Sequence, residues 1–366
     1  MKLVVFGLTL SSSWGNGHAT VWRSLAKGWI ARGHDFVFFE RDVPYYAAHR
    51  DLSAILGGVI YFYSEFDEVR ADAEQELAAA EVAMVTSYCP DALEATEVVL
   101  NSRAELKVFY DLDAPVTLSR IARAEAVSYI GPRGFSDFDL VLSFTGGVAL
   151  ERLKNDLGAR QVAPLYGSID PQIYAPVPPE DKYRCDLSYL GTYADDRQAT
   201  LQTLFVEPAR RLPEKRFVLG GAQYPQFFPW TENIFFMRHV APFEHPVFYS
   251  SSKLTLNVTR QAMRDMGYCP SGRLFEASAC AAPILSDAWL GIEEFFTPGE
   301  EILIAHSTED AIEAIDSESE RLKRIGQAAR RRTLAEHTGS QRAMQLEAII
   351  ESCLREIPPG AGASLH

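Results

Sequence analysis

Long apolar runs, paired cysteines and an excess of basic residues are all missing from this sequence. No stretch approaches the roughly 18 consecutive apolar residues that a membrane-spanning helix needs. The five cysteines are scattered without a CxxC pair, which is typical of reduced thiols in a cytoplasmic protein. A formal net charge of −14 disfavours a general nucleic-acid binder, because neutralising phosphates requires a basic face.

Several functional motifs are also missing. The first Gly- and Ser-rich loop, SSSWGNGH, lacks the GxGxxG spacing of dinucleotide-binding folds, which disfavours an NAD-linked dehydrogenase. The cysteines and histidines show no metal-ligand spacing, so no metal or other cofactor is predicted. With 47% apolar and 23% charged residues over 366 positions, the chain is expected to be globular and to form two domains.

What the chain does contain is an alternation of strand-length apolar runs and helically spaced segments. It opens with KLVVFGLTL, a helical pattern over 19–32 and the run DFVFFE, the β–α–β unit of a doubly wound parallel sheet. The alternation pauses at a Pro-rich segment and then restarts, with a long helix expected over 196–211. We therefore predict an α/β fold with two Rossmann-like domains facing a cleft. Their predicted bounds are 1–166 for the first domain, 167–181 for a linker, 182–340 for the second domain, and 341–366 for a helix that could cross back to the first domain.

The segment PSGRLFEASACAAPILSD, residues 270–287, predicts an anion site at the start of a helix. Ser271 is a suitable N-cap, and Gly272 allows a ligand to approach the backbone. A helix that begins here directs unpaired N–H groups and a positive dipole end at a phosphate, and Arg273 adds a charge. Glu276, one turn later, is placed to accept hydrogen bonds from vicinal sugar hydroxyls. The backbone of Leu274 completes this turn, and the pattern indicates a nucleotide-sugar pocket.

Several runs resemble one family of enzymes. The order of two sheets, the linker YGSIDPQIYAPV and the 270–287 segment are similar to GT-B glycosyltransferases. The runs FYDLDAPVTLSR, LSFTGG, SYLGTYADDRQ, NVTR and SDAWLGIEEFFTPGEEILIA resemble the CgeB-like branch, named after a spore maturation protein. The resemblance implies a sugar transferred from a nucleotide-diphosphate donor without a metal ion. Retaining members often carry two glutamates eight positions apart; Glu276 matches the second, but Tyr268 replaces the first, which leaves the stereochemistry open.

The resemblance also implies further donor-binding residues in the second domain. A basic residue near Arg197 contacts the donor diphosphate in GT-B enzymes, and Thr192 could line the same site. Asn257 and Arg260 end a buried strand, where Arg260 could neutralise the leaving diphosphate. The alternative is that Arg197 pairs with a neighbouring aspartate on a helix surface and that Arg260 ties structural elements together.

In the first domain, candidate acceptor-side residues follow predicted strands. His18 could take a proton from an acceptor hydroxyl, since the ordinary pKa of histidine lies near neutrality. Asp111 and Asp113 end another strand and could act as base or orient the acceptor. The alternatives are a capping or core histidine and a strand-end turn. The remaining candidates lie in two Gly-containing turns: Gly15, Asn16, Gly17, Thr145, Gly146 and Gly147.

The sequence thus favours a cytoplasmic GT-B glycosyltransferase with a nucleotide-sugar donor and a small-molecule, glycan or protein acceptor. A nucleotide-sugar epimerase on the same fold is one alternative, because it needs the donor pocket without an acceptor. A non-catalytic nucleotide-sugar-binding protein is another, which the missing first glutamate favours. The base, the sugar, the acceptor, the catalytic residue and the oligomeric state stay open.

Overall fold

The computed structural model describes residues 1–15 and 17–356. Asn16, and residues 357–366 of the predicted C-terminal helix, lie outside the described residues. Two compact units divide the chain: Met1–Tyr166 together with the segment from Gly339 onward, and Gly167–Thr338. The segment 167–181, which the sequence predicts as a linker, clusters with the second unit. Residues 339 and 340 cluster with the first unit.

The first unit is built on a parallel sheet in which strands and helices alternate. Its strands are β1 Lys2–Gly7, β2 Asp35–Arg41, β3 Gly58–Tyr63, β4 Val82–Thr86, β5 Leu106–Asp111, β6 Leu140–Ser143 and β7 Val162–Pro164. Its helices before the second unit are α1 His18–Ala31, α2 Pro44–Ala47, α3 Phe66–Ala78, α4 Ala92–Leu100, α5 Ala114–Ala122 and α6 Val148–Leu157. Over the described residues the strand order is β3-β2-β1-β4-β5-β6-β7, with every neighbouring pair parallel.

The second unit repeats this architecture. Its strands are β8 Leu187–Leu190, β9 Phe217–Gly220, β10 Ile234–Met237, β11 Thr255–Asn257, β12 Ile284–Asp287 and β13 Leu303–Ala305. Its helices are α7 Asp195–Leu201, α8 Glu207–Arg211, α9 His245–Ser250, α10 Gln261–Met266, α11 Gly272–Ala279, α12 Thr308–Asp316 and α13 Ser319–Glu336. The order β10-β9-β8-β11-β12-β13, again parallel throughout, gives the predicted class of two doubly wound sheets.

Each sheet has a point where its strand order reverses. In the first sheet this point lies between β1 and β4, and in the second it lies between β8 and β11. Ligands of doubly wound sheets bind outside the carboxyl ends of the strands at this point. The loops after β1 and β4, and those after β8 and β11, are therefore the first places to look for a site.

The predicted helix over 196–211 is present, but it contains a widened turn. Helix α7 is followed by a π-helical turn over Gln202–Val206 and then by α8. Pro208 lies at the start of α8, where it has no N–H to donate and its ring crowds the carbonyl four residues earlier. A widened turn is a common way for a helix to accommodate such a residue.

The helix α14, Gly339–Glu356, packs against α1 in the first unit. The two backbones approach so closely that a Cβ on Gly28 would collide with the Gly339 carbonyl. Apolar side chains of α14, among them Leu346 and Ile350, enter the core beside Trp22 of α1. The described part of the chain contains no helix that is long and apolar enough to cross a bilayer.

Candidate functional site

Two loops meet at the carboxyl edge of the second sheet, after β8 and after β9. The Tyr193 N–H donates to the Ala222 carbonyl at 2.9 Å, and the Tyr224 hydroxyl donates to the Gly191 carbonyl at 3.0 Å. A Cβ on Gly221 would collide with the Gly191 carbonyl, and its φ of +149° also favours glycine. These contacts fix the loop that leads into α7.

Arg197 extends from α7 beneath this loop. Its Nη1 lies 3.4 Å from both the Tyr189 hydroxyl and the Thr192 carbonyl. Its Nε is buried and has no hydrogen-bond partner among the described residues. Burial raises the pKa of Tyr224, and the charges of the sequence candidates Arg197 and Arg273 both oppose that rise.

The first turn of α11 has the geometry that the sequence predicts. Ser271 is the N-cap, and its Oγ accepts a hydrogen bond from the Arg273 N–H at 3.4 Å. Gly272 is exposed, and a Cβ built on it would meet nothing within 4 Å. The side chain of Leu274 is buried, and its N–H donates to the Ser271 carbonyl at 3.0 Å. In this turn, the Gly272 backbone and the Arg273 side chain are the groups that can bind an anion.

Glu276 follows one turn later, with a side chain that is 12% exposed. The His245 Nδ1 lies 3.7 Å from its Oε2. Burial alone raises the pKa of Glu276, but the interaction with His245 and the charge of Arg273 outweigh that effect, so the pKa lies below its usual value. The carboxylate is therefore held ionised and able to accept hydrogen bonds from hydroxyl groups.

Two tyrosines complete the surroundings of Glu276. Tyr174 and Tyr249 are 5% and 2% exposed. Burial raises the pKa of both phenols, and the negative charge of Glu276 raises it further. Both phenols therefore stay protonated, and the Tyr249 hydroxyl is buried without a hydrogen-bond partner among the described residues. Neither tyrosine is predicted from the sequence, because Tyr174 lies in the Pro-rich segment and no local pattern links either residue to Glu276.

The structure gives Asn257 and Arg260 internal partners. Asn257 is buried, and its Nδ2 donates to the Ser286 hydroxyl at 3.0 Å. Arg260 is the N-cap residue of α10, and its Nε lies 3.2 Å from the Asp196 Oδ2. The Arg260 side chain is still 40% exposed, so it remains accessible to a ligand.

A second polar cluster lies at the carboxyl edge of the first sheet. The buried Glu40 accepts hydrogen bonds from the Leu10 and Ser11 N–H groups at 2.7 and 2.9 Å, which anchors the loop after β1. His18 begins α1 at the end of this loop. Burial lowers the pKa of His18 to about 4, so its imidazole is neutral at pH 7.

The two aspartates after β5 differ in their surroundings. Asp111 is fully buried, and burial raises its pKa to about 7. Its Oδ1 accepts the Asp113 N–H at 3.0 Å. Asp113 is half-buried, and its Oδ2 accepts the Tyr88 hydroxyl at 3.1 Å. The Tyr88 ring also contacts His18 edge-on, with ring centroids 5.6 Å apart. Tyr88, which the sequence analysis missed, therefore joins His18 and Asp113.

The remaining acceptor-side candidates shape two turns. Gly15 has φ +67°, and a Cβ on it would lie 2.9 Å from the Tyr45 hydroxyl, so this turn requires glycine. Gly17 is the exposed N-cap of α1. Thr145 is buried, Gly146 is buried beside it, and Gly147 has φ +55° as the N-cap of α6. The described residues contain no group of three or more His, Cys, Asp or Glu side chains that could hold a metal ion.

Comparison with known proteins gives a family for part of the chain and a fold for nearly all of it. Residues 197–348 match the model of a family described as "Glycosyl transferase-like". No curated protein matches the sequence. Among solved structures, sucrose-phosphate synthase from Thermosynechococcus elongatus is similar with a TM-score of 0.67 and 13% identity, covering 97% of this chain and 100% of that chain.

Two further similar structures contain a nucleotide sugar. Anabaena HepE in complex with UDP-glucose has a TM-score of 0.66 and 12% identity, covering 96% of this chain and 100% of that chain. An alpha-glucosyltransferase in complex with UDP-glucose and DNA containing an abasic site has a TM-score of 0.69 and 11% identity, covering 96% of this chain and 99% of that chain. The chain thus has the GT-B fold of these structures, and residues 197–348 match a glycosyltransferase-like family.

Proposed function

We propose that the second unit binds a nucleotide-diphosphate sugar through the first turn of α11. The observation that carries the proposal is the convergence of three features. The Gly272 backbone is open to solvent, the charges of Arg273 and Arg197 both act on the Tyr224 phenol, and Glu276 is held ionised one turn later in the helix. A diphosphate fits the helix start and the guanidinium groups, and a ribose diol fits the carboxylate.

The first donor to test is UDP-glucose. The HepE and alpha-glucosyltransferase structures are complexes with UDP-glucose, and each shares the fold of this chain over 96% of its length. We extend the donor class, a nucleoside diphosphate linked to a hexose, to this protein as a proposal. The resemblance of FYDLDAPVTLSR and NVTR to the CgeB-like branch supports placing the chain in that branch, and the unpaired cysteines support a cytoplasmic location.

Transfer also requires a proton acceptor for the attacking hydroxyl, and we assign this role to Asp113. Asp111 is fully buried and bound to the Asp113 backbone, so it cannot reach a ligand without rearrangement. His18 is neutral, and it supports the same cluster through Tyr88. The acceptor oxygen loses its proton to Asp113 and bonds to the sugar C1. The bond from C1 to the diphosphate oxygen breaks, and the diphosphate leaves with the electron pair.

The charge of the leaving diphosphate would be balanced by side chains and helix N–H groups, without a metal ion. Arg197 and Arg273 are two candidates, because their charges both act on the Tyr224 phenol, and Arg260, whose side chain is 40% exposed, is the third. We expect donor binding and transfer to continue in excess chelator. Loss of activity on chelation, with recovery on adding Mg²⁺ or Mn²⁺, would contradict this part of the proposal.

A thermal-shift panel tests the donor proposal directly. A ligand that binds only the folded state raises the melting temperature by mass action. We expect UDP, GDP or ADP, and the matching hexose conjugate, to stabilise the protein, whereas uridine should stabilise it less and glucose alone should not. Release of nucleotide that depends on an added acceptor would then support transfer. Isomerisation of the donor without acceptor would instead support an epimerase, and binding without turnover would support a sensor.

A further inference from the structure

Tyr88 has a backbone conformation that is unusual for a bulky residue. Its φ is +62°, in the left-handed region, where an aromatic side chain is a genuine outlier under strain. The turn is fixed by its neighbours: the Leu112 N–H donates to the Ser87 Oγ at 2.9 Å, and the Ser87 N–H donates to the Tyr110 carbonyl at 3.0 Å. Strain of this kind persists when the surroundings impose it, and it often marks a functional position.

The conformation directs the phenol of Tyr88 into the polar cluster of the first unit. The hydroxyl donates to the Asp113 Oδ2 at 3.1 Å. The ring lies edge-on to His18 at 5.6 Å and tilted against Tyr129 at 5.1 Å, as measured between ring centroids. Tyr88 also follows β4, one of the two strands that flank the reversal point of the sheet. From its position after β4, Tyr88 thus contacts His18, which follows β1, and Asp113, which follows β5. A ligand of this sheet is expected beside these loops.

We propose that Tyr88 is a positioning residue that orients the Asp113 carboxylate and keeps it ionised for proton abstraction. This inference rests on the proposed function, in which Asp113 is the base. A purely structural tyrosine would need only its ring, and a glycine would adopt the same backbone without strain. The hydroxyl on the carboxylate is the feature that packing alone does not require.

The electrostatic effect of the hydroxyl has a definite sign. A hydrogen bond donated to an ionised carboxylate favours the charged form and lowers its pKa. Among the described residues, the titratable groups that interact with Asp113 include Asp111 on β5, Tyr129 after α5 and Tyr88 itself, and His18 on α1 contacts the Tyr88 ring. Asp111 opposes ionisation of Asp113 when it is itself charged. Removing the Tyr88 hydroxyl therefore raises the pKa of Asp113.

The variant Tyr88→Phe keeps the ring and removes only the hydroxyl. We expect the Asp113 titration, followed by NMR of carboxyl-labelled protein and identified with Asp113→Asn, to move up by roughly 0.5 to 1 pH unit. The acid limb of kcat/KM for the acceptor should move by the same amount, while KM for the sugar donor stays unchanged. The matched control is Tyr61→Phe, which removes another tyrosine hydroxyl bound to a carboxylate, Glu76, at 2.8 Å in the same unit.

The outcomes separate the two proposals. A shifted Asp113 titration and a shifted acid limb in Tyr88→Phe, with neither in Tyr61→Phe, support the positioning role. An unchanged Asp113 titration in Tyr88→Phe overturns it, even if the variant is less stable. A shifted Asp113 titration in Tyr88→Phe, together with a wild-type protein that transfers no sugar to any acceptor, overturns the proposed function instead, because the NMR measurement does not depend on turnover.

Discussion

Glu276 in the second unit and Asp111 in the first are both largely buried acidic groups at the carboxyl edge of a parallel sheet. Burial raises the pKa of each, yet the outcomes differ. The pKa of Glu276 lies below its usual value, whereas that of Asp111 rises from 3.8 to about 7. At pH 6 the first group is ionised and the second is mostly protonated.

The difference comes from the partners of each group. Glu276 has Arg273, which is always charged, and His245, which adds a charge when protonated. Asp111 has uncharged donors, such as the Asp113 N–H, and a like charge on the Asp113 side chain. Uncharged donors do not compensate for desolvation as a guanidinium does. Burial therefore decides that a carboxyl group is perturbed, and its charged neighbours decide the direction.

The largest expected effect comes from Asp111→Asn. The pKa of Asp111 is about 7 in the folded chain and 3.8 in the unfolded chain, so between about pH 4 and 7 its carboxyl group is protonated only in the folded chain. The free energy of unfolding of the wild type therefore falls as pH rises from 4 to 7, by at most about 4 kcal/mol from this group. Asparagine cannot ionise and still accepts the Asp113 N–H. The stability of the variant relative to wild type should therefore increase from pH 4 to 7.

Calorimetric unfolding at a series of pH values checks this prediction. Asp72→Asn is the control, because Asp72 is exposed on α3 of the same unit. If the free energies of unfolding of Asp111→Asn and wild type differ by the same amount at every pH, Asp111 is ionised in the folded protein. The contrast with Glu276 would then disappear.

His18→Gln has the second-largest expected effect, with the opposite sign. Burial lowers the folded-state pKa of His18 from 6.5 to about 4, so the unfolded chain binds a proton that the folded chain does not. Wild-type stability is lost as pH falls from 6.5 to 4, by about 3 kcal/mol. Glutamine does not protonate, so the variant should lose less stability over this range. An equal acid loss in His18→Gln and wild type, with the exposed His306→Gln as reference, would contradict the neutral buried imidazole.

Much of this arrangement can be predicted from the sequence, because it depends on local patterns. Alternating apolar runs predict the two parallel sheets, and Pro-Ser-Gly before an apolar-periodic stretch predicts the helix start at Ser271. Period and capping are properties of neighbouring residues. For the same reason the sequence places Arg273 and Glu276 on one turn of the helix that follows.

The contacts that set the charge of these groups are not local, and the sequence does not reveal them. Tyr174 and His245 reach Glu276 from different segments, and Tyr88 reaches Asp113 from the neighbouring strand. The sequence YDLDAP does not distinguish Asp111 from Asp113, although Asp111 is fully buried and Asp113 is half-buried. A tyrosine in the left-handed region has no sequence signature, since glycine and asparagine are the residues that such turns favour.

Glu276→Ala tests whether the ionised carboxylate of Glu276 binds the donor. A carboxylate that accepts hydrogen bonds from ribose hydroxyls contributes about 2–3 kcal/mol, so the Kd for the nucleoside diphosphate should rise about 30- to 160-fold. Isothermal titration with UDP, or with the nucleotide that stabilises best, gives the value. Glu313→Ala, at an exposed position on α12 of the same unit, is the matched control. An unchanged Kd in Glu276→Ala would remove the carboxylate from the site.

Arg273→Ala has the smallest expected effect. It separates diphosphate binding by Arg273 from ribose binding by Glu276. Loss of one guanidinium from the diphosphate should raise the Kd for UDP about tenfold, or about 1.4 kcal/mol. Uridine lacks the phosphates, so its weaker binding should change little in this variant but should fall in Glu276→Ala. Arg273→Lys keeps the charge and should recover part of the loss, because a single ammonium cannot donate to two oxygens as a planar fork does. Equal losses for UDP and uridine in Arg273→Ala would mean that Arg273 acts by keeping Glu276 ionised, and not by contacting the phosphates.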